Sequence, residues 1–224
     1  MKLKKFPNNP VHLYSRVGRP ELVFFVNLTA VVFLPFIFNL DDSVIPQILI
    51  TLFIFSLQYL INSSESRIKK FLNSLLLFIL AVIWIQYFKD IIPFYILNIS
   101  EIVLMIISFY FISKSIFYST TVDINTLIAA IAGYLLIGIS MGLLVFIMQK
   151  IHSDSFSFAG KVTTFDTNYY SFVTMSTLGY GDILPLSKNA KGLSIIITLL
   201  GQFYMVIVMG LIIGKMLSPK EKNK

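Results

Sequence analysis

The residues whose types and spacing carry the clearest chemical meaning are the run TLGYGD at 177–182. Glycine at its third and fifth positions lets every second residue enter the left-handed region of backbone space, where a Cβ is disfavoured. A strand with this alternation can turn successive carbonyl oxygens to the same side. Four such strands around one axis would form stacked rings of oxygens that replace the water shell of a dehydrated cation.

The composition excludes a water-soluble globular protein. Hydrophobic residues make up 56% of the chain and charged residues 13%, with a mean hydropathy of +0.81. There is no cysteine, which excludes disulfides and thiolate chemistry. With 2 histidines and no clustered carboxylates, the chain offers nothing from which to assemble a catalytic or metal site. We therefore expect neither an enzyme nor a cofactor.

Six apolar stretches are long enough, or nearly so, to cross a bilayer as helices, which takes about 20 residues each. They are 22–40, 45–61, 71–88, 91–112, 126–148 and 192–217. Between the fifth and the sixth lie a polar stretch, 149–166, and a short segment, 167–176, that is too brief to span. We predict that this segment is a half-helix with Asp166 or Thr167 as its N-cap.

The net charge of +7 sits in short loops between the apolar runs, so membrane topology explains it better than nucleic-acid binding. With six crossings, the basic clusters before the first helix and after the second, fourth and sixth all fall on one side. The positive-inside rule makes that side cytoplasmic. We expect a multi-pass protein of the plasma (inner) membrane with both termini in the cytoplasm, the bilayer as a partner, and no nucleic acid.

The longer run TMSTLGYGD at 174–182 closely resembles the T-x-x-T-x-G-Y-G-D signature of the tetrameric potassium channel family, six-transmembrane bacterial type. The resemblance covers about residues 123–217, the family's pore module. It implies an all-α membrane protein with six transmembrane helices plus a re-entrant pore helix and a selectivity-filter loop, assembling as a homotetramer. The domains it implies are a cytoplasmic segment, a four-helix voltage-sensor-like domain, the pore domain and a short tail, at 1–21, 22–114, 123–217 and 218–224.

The resemblance also assigns roles within the filter. It implies that K⁺ is bound by the backbone carbonyls of Thr177, Leu178, Gly179 and Tyr180, with the Thr177 hydroxyl as the innermost ligand. Gly181 would let the strand exit. Leu178 stands where relatives usually have Val or Ile, and its side chain is expected to pack behind the filter.

Four further residues are expected to support the filter. Asp182 would sit at the outer mouth, where Tyr169 or Tyr170 would hydrogen-bond to it, and Thr174 opens the signature run. Many relatives carry two tryptophans in place of the tyrosines, a departure that concerns the rigidity of the filter more than its conduction.

Glycines of the last apolar stretch have two interpretations. Gly201 lies where relatives place a gating hinge, but small residues are also common where membrane helices touch. Gly210 and Gly214, spaced as G-x-x-x-G, are assigned to helix packing.

The stretch 91–114 contains Glu101 and no arginine, whereas voltage-gated relatives carry a basic residue at every third position there. We therefore expect little voltage dependence. Glu101 is either satisfied structurally, with Gln58 or Gln86 as a neighbour, or it is an intramembrane sensor of pH or ligand.

The function predicted from the sequence is passive, potassium-selective conduction. A weakly selective monovalent cation channel on the same fold is the alternative. A membrane subunit of a K⁺ transporter is more distant, because such proteins join four filter repeats in one chain. A non-conducting scaffold would predict eroded filter chemistry.

Overall fold

Long uninterrupted apolar sequence makes this chain helical. In the computed structural model, residues 19–38, 52–57, 73, 75, 76, 79, 94–119 and 122–217 are described. Five helices have bounds within these ranges: α1 Arg19–Phe38, α2 Phe94–Tyr118, α3 Ile124–Ile151, α4 Thr164–Met175 and α5 Lys188–Leu217. Residues 52–57 are also helical. The described residues contain no strand, only an isolated antiparallel bridge between Phe156 and Pro185.

Three of these helices are long and apolar enough to cross a membrane: Asn98–Tyr118, Ile124–Ile151 and Lys188–Leu217. A shorter apolar helix covers Glu21–Leu34. At 1.5 Å per residue, the 28 residues of α3 extend about 42 Å, more than the roughly 30 Å of a hydrocarbon core. The first, fourth, fifth and sixth predicted stretches overlap α1, α2, α3 and α5. Most of the second and third lies outside the described residues.

The prediction for the start of the short helix was wrong. Helix α4 begins at Thr164, and its N-cap is Thr163 rather than Asp166 or Thr167. The Thr163 hydroxyl accepts a hydrogen bond from the Asp166 amide at 3.2 Å, and the Asp166 carboxylate accepts one from the Thr163 amide at 3.0 Å. This reciprocal capping box satisfies two amides that would otherwise lack partners, and it selects the earlier start.

Helix α3 contacts each of the other four helices whose bounds are given, α1, α2, α4 and α5. One buried cluster joins it to α1, α2 and α5, and a second joins it to α4, α5 and the loop residue Phe156. Its buried positions are rich in small residues, listed here: Ala129, Ala130, Ala132, Gly133, Gly138 and Gly142. Small residues let membrane helices approach closely, so this composition allows several helices to pack around α3.

Three glycines of α3 each receive a larger side chain. A Cβ at Gly133 would collide with the Tyr204 hydroxyl, and one at Gly138 would collide with the Phe172 ring. At Gly142 a Cβ would collide with the Asn168 amide and lie 2.9 Å from the Asn168 Cα. Hydrogen bonds reinforce these contacts. Ser171 Oγ donates to the Gly138 carbonyl at 2.7 Å, and Tyr204 Oη donates to the Ala130 carbonyl at 2.7 Å.

Helices α1 and α2 are held to the rest of the same chain. The Ser115 hydroxyl lies 3.5 Å from the Glu21 carboxylate, which links α2 to α1. Lys215 Nζ of α5 donates to the carbonyls of Ile116 and Phe117 at 2.6 and 3.1 Å. These carbonyls belong to the last turn of α2, where helical partners are lacking and a cation is favoured.

Replacing Gly142 with alanine should lower the thermal stability of the purified protein. The new methyl group would press on the backbone of Asn168, so α3 and α4 would have to separate, at a cost of about 1–3 kcal/mol. Gly192→Ala is the matched control, because a Cβ there meets no atom within 4 Å. Thermal unfolding in detergent compares the two variants, and equal melting temperatures would contradict this packing argument.

Candidate functional site

The backbone of the 177–182 run alternates in the way its glycines suggest. Gly179 and Gly181 have φ values of +56° and +79°. Thr177 has a φ of +61°, and it is the one non-glycine residue with positive φ in the described part of the chain. The left-handed region costs a non-glycine residue about 1–2 kcal/mol. The surrounding structure must therefore hold Thr177 in place, a requirement that the glycine pattern did not predict.

The end of α4 supplies that restraint. The Thr177 amide donates to the Thr174 carbonyl at 3.0 Å. The amides of Leu178 and Gly179 both donate to the Val173 carbonyl, at 3.0 and 3.2 Å. The last carbonyls of a helix lack intrahelical donors, so the strand satisfies them while they fix the strand.

These hydrogen bonds also set the direction of the carbonyls. In a planar trans peptide, the N–H of one residue and the C=O of the residue before it point in opposite directions. The described residues contain no cis peptide bond. Because the amides of Leu178 and Gly179 point toward Val173, the carbonyls of Thr177 and Leu178 point away from α4. Two successive oxygens thus face the open side of the strand.

The open side of the strand is uncovered within a single chain. Residues 176–182 are all exposed, and the side chains of Leu178 and Tyr180 are 56% and 66% exposed. Within this single chain, then, much of the Leu178 side chain is left uncovered. Apolar and aromatic surface of this extent requires a cover that this chain alone does not provide.

Of the two tyrosines proposed as partners of Asp182, the structure brings Tyr169 to it. The Tyr169 hydroxyl donates to Asp182 Oδ2 at 2.7 Å. This hydrogen bond holds the pKa of Asp182 below its ordinary value of 3.8, and it raises the pKa of Tyr169 above 10.0. A carboxylate with a lowered pKa keeps its stabilising contact until the pH falls through that lowered value. The bond is therefore intact at neutral pH.

Tyr170 has a different partner. Its hydroxyl lies 2.6 Å from Ser194 Oγ of α5, and its ring packs against Phe156 at a centroid distance of 5.0 Å. Sequence analysis missed both Ser194 and Phe156, because neither belongs to the signature run. The alternation S-F-S-F at 155–158 was the available signal for a paired segment.

Gly201 lies against the end of α4. A Cβ there would be 2.5 Å from the Met175 carbonyl oxygen and 3.2 Å from its carbon. This contact supports the packing interpretation, in which the missing side chain admits the backbone just before the 177–182 strand. Thr198, one turn earlier, donates to the Ser194 carbonyl at 3.0 Å and lies 3.5 Å from the Thr174 carbonyl. A Cβ at Gly210 or Gly214 would meet no atom of the chain within 4 Å.

Glu101 does not belong to this site. It lies half-buried in α2, within the span Asn98–Tyr118. Its two proposed neighbours, Gln58 and Gln86, lie outside the described residues. Among the described residues, no three His, Cys, Asp or Glu side chains gather as a possible metal site.

Curated relatives of the chain include potassium channels. It is 30% identical over 99 residues to Two-pore potassium channel 2 of Arabidopsis thaliana, an alignment covering 44% of this chain and 22% of that protein. It is 28% identical over 93 residues to the A-type voltage-gated potassium channel KCND3 of Rattus norvegicus, covering 41% and 14%. Two-pore potassium channel 4 of Arabidopsis thaliana is 33% identical over 84 residues, covering 35% and 30%.

The chain therefore spans less than a third of the length of each of these relatives. No solved structure matches it. The model of a family described as "Ion channel" matches residues 74–218, which include α2, α3, α4, the 177–182 strand and α5. Because this match covers more than half of the 224 residues, the chain belongs to that family of ion channels.

Proposed function

We propose that this chain forms a potassium-selective channel in which K⁺ moves passively down its electrochemical gradient. The observation that carries the proposal is the strand at 177–181: the amides of Leu178 and Gly179 donate to the Val173 carbonyl, and the carbonyls of Thr177 and Leu178 turn to the open side. The backbone oxygens of Thr177, Leu178, Gly179 and Tyr180 would bind the ion, joined by the Thr177 hydroxyl. Rings of carbonyl oxygens replace the hydration shell of K⁺ in such filters. Relatives described as potassium channels support this choice of ion.

One chain supplies one strand, so conduction requires a homotetramer with the pore on its four-fold axis. The exposed surface of α5 supports this assembly. Phe203 and Val206 are 58% and 70% exposed, and the polar Gln202 beside them is exposed near the middle of the same span. Polar side chains inside a membrane usually face a protein interior or a water-filled cavity. This surface of α5 suits contacts with other copies and with the pore.

The proposed topology has six spans, with the filter opening outward and both termini in the cytoplasm of a cell whose plasma membrane holds the protein. The distribution of lysine and arginine supports this orientation. Helix α2 contains no arginine, and its one lysine, Lys114, stands near its C-terminal end. A helix with so little charge couples weakly to the membrane potential, since one elementary charge crossing 100 mV is worth about 2.3 kcal/mol. We expect voltage to have little effect on opening.

The reversal potential of currents from the purified protein in planar bilayers tests the proposal. With K⁺ on one side and Na⁺ on the other, a potassium-selective filter gives a value close to the K⁺ equilibrium potential. A value near zero would instead favour a weakly selective cation channel on the same fold. The current–voltage relation in the same bilayers tests the expected weakness of voltage dependence.

Replacing Gly179 with alanine should abolish selectivity for K⁺ over Na⁺. At a φ of +56° alanine is strained by about 1–2 kcal/mol in each chain, so the backbone relaxes and its carbonyls turn. We expect the permeability ratio to fall by at least about tenfold, the equivalent of about 1.4 kcal/mol.

Gly160→Ala is the matched control for this strain. Gly160 has a φ of +77° and lies between α3 and α4, and a Cβ there would meet no atom within 4 Å. The control should conduct with the selectivity of the unaltered protein. Equal permeability ratios for the two variants would contradict a filter role for Gly179.

Tyr169→Phe should make the current more sensitive to external acid. Without the tyrosine hydroxyl, the pKa of Asp182 returns toward its ordinary value of 3.8, so the carboxylate is protonated at a higher pH. The measurement is the K⁺ current as the outer solution is titrated from about pH 7 to about pH 3. An unshifted or downward-shifted titration in the variant would count against this pairing at the outer mouth.

A further inference from the structure

A second contact holds the chain beyond Asp182. Residues 155–158, before α4, pair with residues 184–187, and we call this pairing the clasp. The Ser157 amide donates to the Leu184 carbonyl at 3.0 Å, and the Leu184 amide donates to Ser157 Oγ at 2.7 Å. The Leu186 amide donates to the Ser155 carbonyl at 2.8 Å.

The clasp rests on a buried aromatic group. Phe156 and Tyr170 are 2% and 5% exposed, and Phe158 lies within ring-contact distance of both. The amide of Phe156 donates to Gln149 Oε1 at 2.9 Å, which fastens the clasp to the end of α3. Edge-to-face ring contacts of this kind stabilise beyond the area they bury.

The Tyr170 hydroxyl extends this group to α5. Ser194 Oγ donates its one proton to the Ala190 carbonyl at 2.7 Å. In its 2.6 Å contact with Tyr170, Ser194 is therefore the acceptor and the tyrosine hydroxyl is the donor. Through Phe156, Tyr170 and Ser194, the clasp is joined to α3, α4 and α5.

These contacts anchor the filter strand at both ends. At its inner end the Val173 carbonyl holds the amides of Leu178 and Gly179, and at its outer end the clasp holds Leu184. The residues between the anchors, 180–183, include Gly181, whose backbone has many accessible conformations. Fixing both ends of such a segment limits the conformations that it can adopt.

We propose that the clasp is a second positioning element for the filter, independent of the Tyr169–Asp182 bond, with Tyr170 and Ser194 as its positioning residues. The proposal rests on the proposed channel function. When the clasp is loosened, the outer end of the strand leaves its conducting conformation, and the K⁺ current decays during sustained conduction. Ions bound to the conducting filter stabilise it by mass action, so a higher external K⁺ concentration slows this decay.

The test uses the full-length protein and compares Tyr170→Phe with Ser194→Ala. Both variants break the hydrogen bond between the two side chains, and Ser194→Ala also removes the donor to the Ala190 carbonyl. The loss of one such bond corresponds to about a fivefold change in the ratio of conducting to non-conducting filters. We expect both variants to decay faster than the unaltered protein, by up to about fivefold. The double variant should decay no faster than the single ones, because both remove the same bond. Ser194→Thr, which keeps a hydroxyl, should restore slow decay.

Tyr134→Phe is the matched control. Tyr134 lies on α3, its ring is 6.2 Å from that of Tyr204, and its hydroxyl takes no part in the hydrogen bond between Tyr170 and Ser194. A merely structural role for Tyr170 would lower the melting temperature without making the decay depend on external K⁺. The positioning role predicts faster decay that external K⁺ slows, with a melting temperature close to that of the control. Decay in both clasp variants equal to that of Tyr134→Phe would overturn the proposal.

The two proposals fail in different ways. A reversal potential near zero in the unaltered protein overturns potassium selectivity, and the positioning role falls with it. A selective unaltered protein whose clasp variants decay normally overturns the clasp alone. Amide hydrogen exchange at Leu184 and Leu186 gives a readout that needs no current. Tyr170→Phe should speed that exchange, and unchanged exchange would also overturn the clasp.

Discussion

The structure depends on hydrogen bonds between the last carbonyls of α4 and the first amides of the strand that follows it. The last carbonyls of α4 have no helical donors, and the strand after it must hold a threonine in the left-handed region. Hydrogen bonds from Thr177, Leu178 and Gly179 to Thr174 and Val173 meet both requirements at once. The same bonds turn two carbonyls away from the helix. A displacement of α4 would therefore redirect the carbonyl oxygens of Thr177 and Leu178.

The position of α4 depends in turn on α3. Residues without side chains at 138 and 142 let the ring of Phe172 and the backbone of Asn168 lie directly against α3. On the opposite side, Gly201 of α5 admits the backbone of Met175. Helix α4 is thus confined between two helices at backbone distance, and glycine is the residue that permits both contacts. Only Ser176 separates Met175, the last residue of α4, from the strand. The position of α4 therefore determines where the strand begins.

Helices α1 and α2 pack directly against α3 of the same chain. Both contact α3, and only residues 119–123 separate the end of α2 from the start of α3. Lys215 adds a direct link from the end of α5 to the last carbonyls of α2. In the described part of the chain, α1 and α2 therefore pack against α3, and α2 is joined to α5 by hydrogen bonds at the helix ends.

The sequence by itself determined the features that depend on local backbone chemistry and on apolar length. Gly179 and Gly181 predicted the alternating strand, and the length of the apolar stretches predicted the long helices. The short length of segment 167–176 predicted that it could not cross a bilayer. Its errors and open alternatives involve contacts between residues far apart in the chain. The tertiary structure decided that Tyr169 rather than Tyr170 meets Asp182, that Gly201 packs on Met175, and that Phe156 and Ser194 are the partners of Tyr170. One error was local: the N-cap at Thr163 was not predicted, although residues 163–166 have the T-x-x-D pattern of a capping box. The polar stretch contains several other residues that could cap a helix. Local rules fix what a backbone segment can do, whereas partners 13 to 33 residues apart meet only after the helices have packed.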